Sequence, residues 1–413
     1  MCDTITAVRS ATASGAVLFG KNSDREYDEA QYLISVPAAC HEPGSRVKLT
    51  YTEIEQAPAT NSVLLSKPHW IWGAEIGANQ HGLVIGNEAI FAKIEASVAP
   101  GIIGMDYLRL ALERASTVDE AIHQITTLLR QHGQSGNCGF RRSLTYYNSF
   151  LLADLKSAKI LETVDREWVV RPVTDVDAIS NALTVETQFE SFSTTLERRA
   201  SDAGLLQDSA AFSFKSVFED KAKVIGAEHR RNRAWVLLNE RIGTIRAVDF
   251  FRILRDHEEG PAVNGRSGSR ICAHRPENPI GQTTASWVAD LTPGKIVHWV
   301  TGTAAPCSSL FKPVLFGIDL PPHGGQPGVA EDSESLWWRH EQLRRQLANH
   351  EDNAGLAFRA ERDDLEIQFQ SAMAKCPSVT DRSSREEALR VVEECWRLAM
   401  EFEATCYERL RRT

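Results

Sequence analysis

Cys2-Asp3-Thr4-Ile5-Thr6-Ala7-Val8 follows Met1, and Ala16-Val17-Leu18-Phe19-Gly20-Lys21-Asn22-Ser23-Asp24-Arg25 follows a small polar run at residues 10–15. Residues 4–8 and 16–19 are apolar or β-branched, so the pair reads as a β-hairpin. A two-stranded return then carries residues 21–24 back beside the N-terminus. Initiator methionine is normally removed when the next residue is small, as cysteine is, so the mature chain is expected to begin at Cys2 with a free α-amine. That amine and its thiol have ordinary pKa values of about 7.7–8.0 and about 8.5. The amine can take the thiol proton directly or through one water. The thiolate then attacks a carbonyl and the ammonium protonates the leaving amine, with no histidine required. Asp24 is of the type that holds an α-ammonium, and Lys21 of the type that favours a thiolate. Each feature alone also suits an ordinary second residue or an ordinary polar turn; it is their combination that points to chemistry.

Further along, residues 70–90 read as strand-like runs punctuated by Gly73, Gly77, Gly82 and Gly86, which suits backbone that approaches another group closely. Asn87 ends a short apolar run, where its amide is placed to donate to a developing oxyanion or simply to close a turn. Trp70 and Trp72 alternate as on a strand and are expected to pack as a wall. A helix is expected over residues 105–115. A second begins at the capping box Thr117-Val118-Asp119-Glu120, carries Ile122, Ile125 and Leu129, and stops at Gly133. Strands are expected at residues 149–153, 159–163, 168–173, 284–291 and 296–301. Residues 321–328, rich in proline and glycine, form the best linker. Beyond it the period becomes helical, with a capping box expected at residues 383–386 and a last helix from about Arg385 to Leu410. The fold class is α+β, divided into a domain of residues 2–320, a linker of 321–334 and a helical C-terminal extension of 335–413.

The 413 residues are 42% hydrophobic and 24% charged, with a net charge of −9. This is the balance of a soluble globular chain and argues against binding nucleic acid or anionic membrane. No run approaches the roughly eighteen apolar residues of a membrane span, and the N-terminus lacks a signal pattern, so a cytoplasmic protein is expected. The eight cysteines, at 2, 40, 138, 272, 307, 376, 395 and 406, include no Cys-x-x-Cys, and no His-Glu-x-x-His occurs. Free thiols and no metal are therefore expected. Phosphate-loop, dinucleotide and GxSxG signatures are missing; the nearest to the last, Gly265-Arg266-Ser267-Gly268-Ser269, lacks its second glycine.

The motifs Met-Cys-Asp-Thr (residues 1–4), Phe-Gly-Lys-Asn-Ser-Asp-Arg (19–25), Trp-Gly-Ala-Glu-x-Gly-Ala-Asn-x-x-Gly (72–82) and Gly-Met-Asp-Tyr-Leu-Arg-Leu-Ala-Leu-Glu-Arg (104–114) resemble the secernins. The late run from Thr301-Gly302-Thr303 to Phe311-Lys312-Pro313 does so too. Secernins belong to the secernin and dipeptidase branch of the N-terminal-nucleophile hydrolases. The resemblance implies a four-layer αββα sandwich with the nucleophile at the start of an inner strand. By motif it carries the nucleophile to Cys2, the aspartate to Asp24 and the basic position to Lys21, where related acylases have arginine. It carries two asparagines to Asn87 and Asn181, and a later arginine to Arg233, with Arg230 and Arg231 as neighbouring alternatives. It implies cleavage of a small peptide or amide, with no cofactor, by a cysteine dipeptidase. A non-catalytic secernin-like regulator and an N-acyl amide hydrolase are the alternatives. The apolar stripe of the tail either pairs the tail helices with each other or supports a homo-oligomer.

Overall fold

In the computed structural model the opening hairpin forms. Asp3–Ala7 pairs antiparallel with Val17–Arg25, which puts Asp3 opposite Asn22 and Thr4 opposite Lys21. The second strand runs on through the Lys21-to-Asp24 segment, so that segment is sheet and not a turn. The structure describes residues 2–206, 211–224, 226–258, 270–274, 281–349 and 353–412; Met1 and the stretch 265–269 lie outside these.

Two antiparallel sheets face each other. The first has six strands in the order Val176–Ile179, Asp3–Ala7, Val17–Arg25, Gln282–Leu291, Val297–Val300 and Lys312–Val314. The second has eight, in the order Ser191–Phe192, Glu167–Pro172, Ala158–Val164, Tyr147–Ala153, Val84–Ile90, Ile76–Asn79, Val63–Pro68 and Gln31–Val36. Side-chain alternation builds the layers. Leu151 joins Phe19, Val84 and Ile160 between the sheets. Its neighbours Phe150 and Leu152 point the other way, onto Leu108, Leu112 and Ile125 of helices Gly104–Arg114 and Val118–His132. Helices Ala227–Asn239 and Ala247–Leu254 pack on the six-stranded sheet. Gly86 lets the sheets approach closely: a Cβ there would lie 2.5 Å from Lys21 Cδ and 3.0 Å from Phe19 Cζ.

Several local expectations shift. Between residues 70 and 90 only Ile76–Asn79 and Val84–Ile90 are strands. Trp70 is not on a strand and donates to Glu29 Oε1 at 2.8 Å, while the Trp72 ring lies 4.1 Å from the Arg109 guanidinium carbon. Thr117 caps its helix by accepting from Glu120 N at 3.3 Å, but the Glu120 carboxylate accepts from Ser116 N instead of closing the box on Thr117. The last helix spans Arg382–Leu410 and starts earlier than expected, because Asp381 and Ser384 form the reciprocal cap. Its apolar stripe is covered within the chain. Val392, Cys395, Trp396 and Ala399 share the inter-sheet cluster with Val314 and Leu315, and Trp396 Nε1 donates to Pro313 O at 2.8 Å. No helix among the described residues is long and apolar enough to cross a membrane.

Candidate active site

Cys2 stands at the start of an inner strand and is 5% exposed. Its N–H donates to Asn181 Oδ1 at 2.7 Å. Its Sγ accepts from the backbone N–H of Asp24 at 3.3 Å and lies 3.6 Å from Glu75 Oε2. Burial pushes the thiol up to about 12; Lys21 opposes that rise and Glu75 adds to it. Asp24 also meets Thr283, whose hydroxyl donates to Asp24 Oδ1 at 2.6 Å. Burial pushes the Asp24 carboxyl up to about 7, with Asp3 adding to the rise and the Thr283 hydroxyl opposing it.

Lys21 is fully buried between the sheets and makes no hydrogen bond to Cys2. Its Nζ donates to Asn87 O at 2.7 Å and to Glu88 Oε1 at 2.8 Å, and Thr4 Oγ1 donates to the same carboxylate oxygen. Burial works against the Lys21 charge, but Cys2, Glu88 and Glu75 outweigh it and hold the ammonium above its ordinary pKa. Lys21 therefore acts on the thiol through space, as a point charge.

Asn87 does not face Cys2. Strand alternation sends Glu88 toward the six-stranded sheet and Asn87 to the opposite, helix-covered face. There its Nδ2 donates to Asn148 Oδ1 at 3.1 Å and approaches Met105 Sδ at 3.6 Å. The side chain expected to donate to an oxyanion is thus committed to structure; what Asn87 offers the inner layer is its carbonyl, to Lys21.

Asn181 does reach the site. Its Oδ1 accepts from Cys2 N and from Arg230 Nη2, both at 2.7 Å, and its Nδ2 donates to Ala89 O at 2.9 Å. The arginine that meets Asn181 is Arg230, not Arg233. Arg230 also forks onto Asp3 at 3.0 and 3.1 Å and onto Ser180 Oγ at 2.8 Å. Ala227, Arg230, Ala234 and Leu238 form the buried stripe of their helix. Arg233 lies off that stripe and pairs with Asp256 at 2.9 Å, while Arg231 bonds Ala178 O and Asp177. The helical spacing of that stripe was the available signal for Arg230.

Sequence reading missed Glu75. It is 2% exposed, accepts from Ser23 Oγ at 3.1 Å and from Arg25 Nη1 at 3.2 Å, and faces the thiol. Removing its charge by Glu75→Gln should favour the Cys2 thiolate. Alkylation of Cys2 should then reach half its limiting rate about one pH unit lower, or run about tenfold faster at fixed pH below that point. Slower alkylation would instead make Glu75 the acceptor of the thiol proton.

The family model described as "Acyl-coenzyme A:6-aminopenicillanic acid acyl-transferase" matches residues 12–140. That match covers less than half of the chain and does not single out the secernin branch. Among solved structures, a mutant conjugated bile acid hydrolase from Clostridium perfringens is similar at 16% identity and a TM-score of 0.43, over 73% of this chain and 88% of that one. Penicillin V acylase from Agrobacterium tumefaciens is similar at 15% identity and a TM-score of 0.44, over 76% and 86% of the two chains. A Caenorhabditis elegans ortholog of N-acylethanolamine-hydrolyzing acid amidase gives 13% identity and a TM-score of 0.36, over 71% and 94%.

Proposed function

We propose that the protein is a cysteine amidohydrolase of the N-terminal-nucleophile class that cleaves short amides through an acyl-enzyme on Cys2. The observation that carries the reading is the clamp on Cys2. Its nitrogen is fixed on Asn181 Oδ1 at 2.7 Å while its sulfur sits 3.3 Å from the Asp24 backbone N–H. Two facing sheets with helices packed on their outer faces support an αββα reading, and the same proposal takes residues 2–320 as the catalytic unit, 321–334 as linker and 335–413 as the helical extension.

Removal of Met1 converts the Cys2 nitrogen from an amide into an amine with a basic lone pair. The amine takes the thiol proton, and the Asp24 N–H and the Lys21 charge favour the resulting thiolate. Sulfur attacks the substrate carbonyl, the ammonium returns its proton to the departing amine, and a thioester remains. Water then attacks the thioester with the amine as base, releasing the acid and restoring the thiol. Asn181, held by Arg230, fixes the nitrogen that performs both proton transfers.

Dipeptides are the first substrates to test. N-acyl amides are the second reading, favoured by the acyl-transferase family description over residues 12–140. A panel of dipeptides and N-acyl amino acids, run with the mature protein and with Cys2→Ala, decides between them. Cys2-dependent turnover of either set supports the hydrolase. Inactivity of correctly processed protein on both sets would favour the non-catalytic regulator.

A further inference from the structure

A second cluster of reactive side chains lies outside the Cys2 site. His257, Cys272, His274 and Cys307 each contribute one ligand atom, and the four atoms all lie within 4.8 Å of one another. His274 Nε2 is 3.0 Å from His257 Nε2 and 3.4 Å from Cys307 Sγ. One imidazole nitrogen carries either a proton or a lone pair, so it cannot serve a second imidazole nitrogen and a thiol through two separate hydrogen bonds. A shared cation satisfies all of them at once. With about 2.3 Å to sulfur and about 2.0–2.1 Å to nitrogen, a tetrahedral ion spaces its ligand atoms roughly 3.3–3.8 Å apart, within a few tenths of an ångström of the two separations given.

We propose that His257, Cys272, His274 and Cys307 bind one Zn²⁺ in a closed, tetrahedral Cys₂His₂ site. Two sulfurs and two imidazoles select zinc among common cellular cations, and four protein ligands leave no open position, so the ion is structural. The ligands come from three separate segments: after helix Ala247–Leu254, before strand Gln282–Leu291, and between strands Val297–Val300 and Lys312–Val314. The ion therefore ties these loops together. Two thiolates neutralise its charge, which suits a neighbourhood containing Arg255, Arg270 and Arg362. These arginines line a 590 Å³ cavity with His257, His274 and Cys307, and the cavity gives the ion a path of entry. Cys272 and His274 lie two residues apart in Cys-x-His, a close pair that cysteine-only spacing does not register. The site also touches the nucleophile's surroundings, because Ala273 N donates to Thr283 Oγ1 at 3.1 Å and that hydroxyl bonds Asp24.

The full chain, purified from zinc-supplemented cells without chelator, should contain about one zinc per chain by elemental analysis. Cys272→Ser and Cys307→Ser should each weaken zinc binding by more than the roughly 10–100-fold that outer-shell changes cost, while Cys376→Ser and Cys395→Ser should leave it intact. Because a ligand variant can misfold, chelator-treated parent protein is also titrated with Co²⁺. The expected result is sulfur-to-cobalt charge-transfer absorption in the near ultraviolet, with tetrahedral bands in the visible that zinc then abolishes. Zinc-free protein without a sulfur–cobalt band would overturn the proposal. So would a band that survives in the Cys272→Ser, Cys307→Ser double variant, or an intact mass showing a Cys272–Cys307 disulfide in the isolated protein.

Discussion

Cys2→Ala should leave the protein folded and lower its turnover of amides by at least about a thousandfold. The substitution removes one sulfur atom from a strand whose pairing is made by backbone groups, so the stability cost should be about 1 kcal/mol. The chemistry has no substitute nucleophile among the groups around Cys2. Glu75 and Asp24 are carboxyl groups, Ser23 Oγ is engaged with Glu75 and Gln31, and Lys21 Nζ is taken up by Glu88 and Asn87 O. Rates on an accepted substrate, with a thermal melt as control, check this. An unchanged rate in the folded variant would remove Cys2 from the mechanism.

Arg230→Ala should be the most damaging substitution to the fold around the site. It leaves Asp3, 1% exposed, as a buried carboxylate that has lost its guanidinium, and it withdraws a donor from Ser180 and Asn181. Breaking a buried pair in this way costs about 3–5 kcal/mol. Arg233→Ala, which breaks a part-exposed pair with Asp256, should cost about 1 kcal/mol or less. Denaturant midpoints of the two variants test the contrast, and equal costs would contradict it. Arg230→Lys separates structure from positioning. Lysine keeps a charge for Asp3 but cannot fork to Ser180 and Asn181. It should recover most of the stability while kcat stays low and KM changes less.

The parts of the molecule that follow local rules were legible in the sequence. The hairpin from Asp3 to Arg25 and the helices after Ile103 and Thr117 came from apolar runs, a cap and a stopping glycine. The placement of Cys2 beside Asp24 followed from the hairpin alone, because antiparallel return brings residue 24 back to residue 2. What failed needed information from a distant strand or helix. Whether Asn87 faces Cys2 or Asn148 depends on a one-residue parity in its strand, and the glycines around it hide that parity. Choosing Arg230 over Arg233 requires knowing which helical face meets the sheet. The two differ by less than one turn, and the polar helix sequence marks the buried stripe only with Ala227, Ala234 and Leu238. Glu75 carries no local signal, since its role arises from Ser23, Arg25 and Cys2 on another sheet. The start of the last helix moved because Asp381 with Ser384 is a less familiar cap than a serine with a glutamate.

The central claim is that the amine of Cys2 is the base that activates its own thiol. Intact-mass measurement of the active protein, with and without a slowly hydrolysed substrate, tests it most directly. The account predicts a mature chain lighter by one methionine residue, gaining the acyl mass on Cys2 when substrate is present. An active protein that wholly retains Met1 would contradict it, because its Cys2 nitrogen would be an amide with no lone pair to accept the proton.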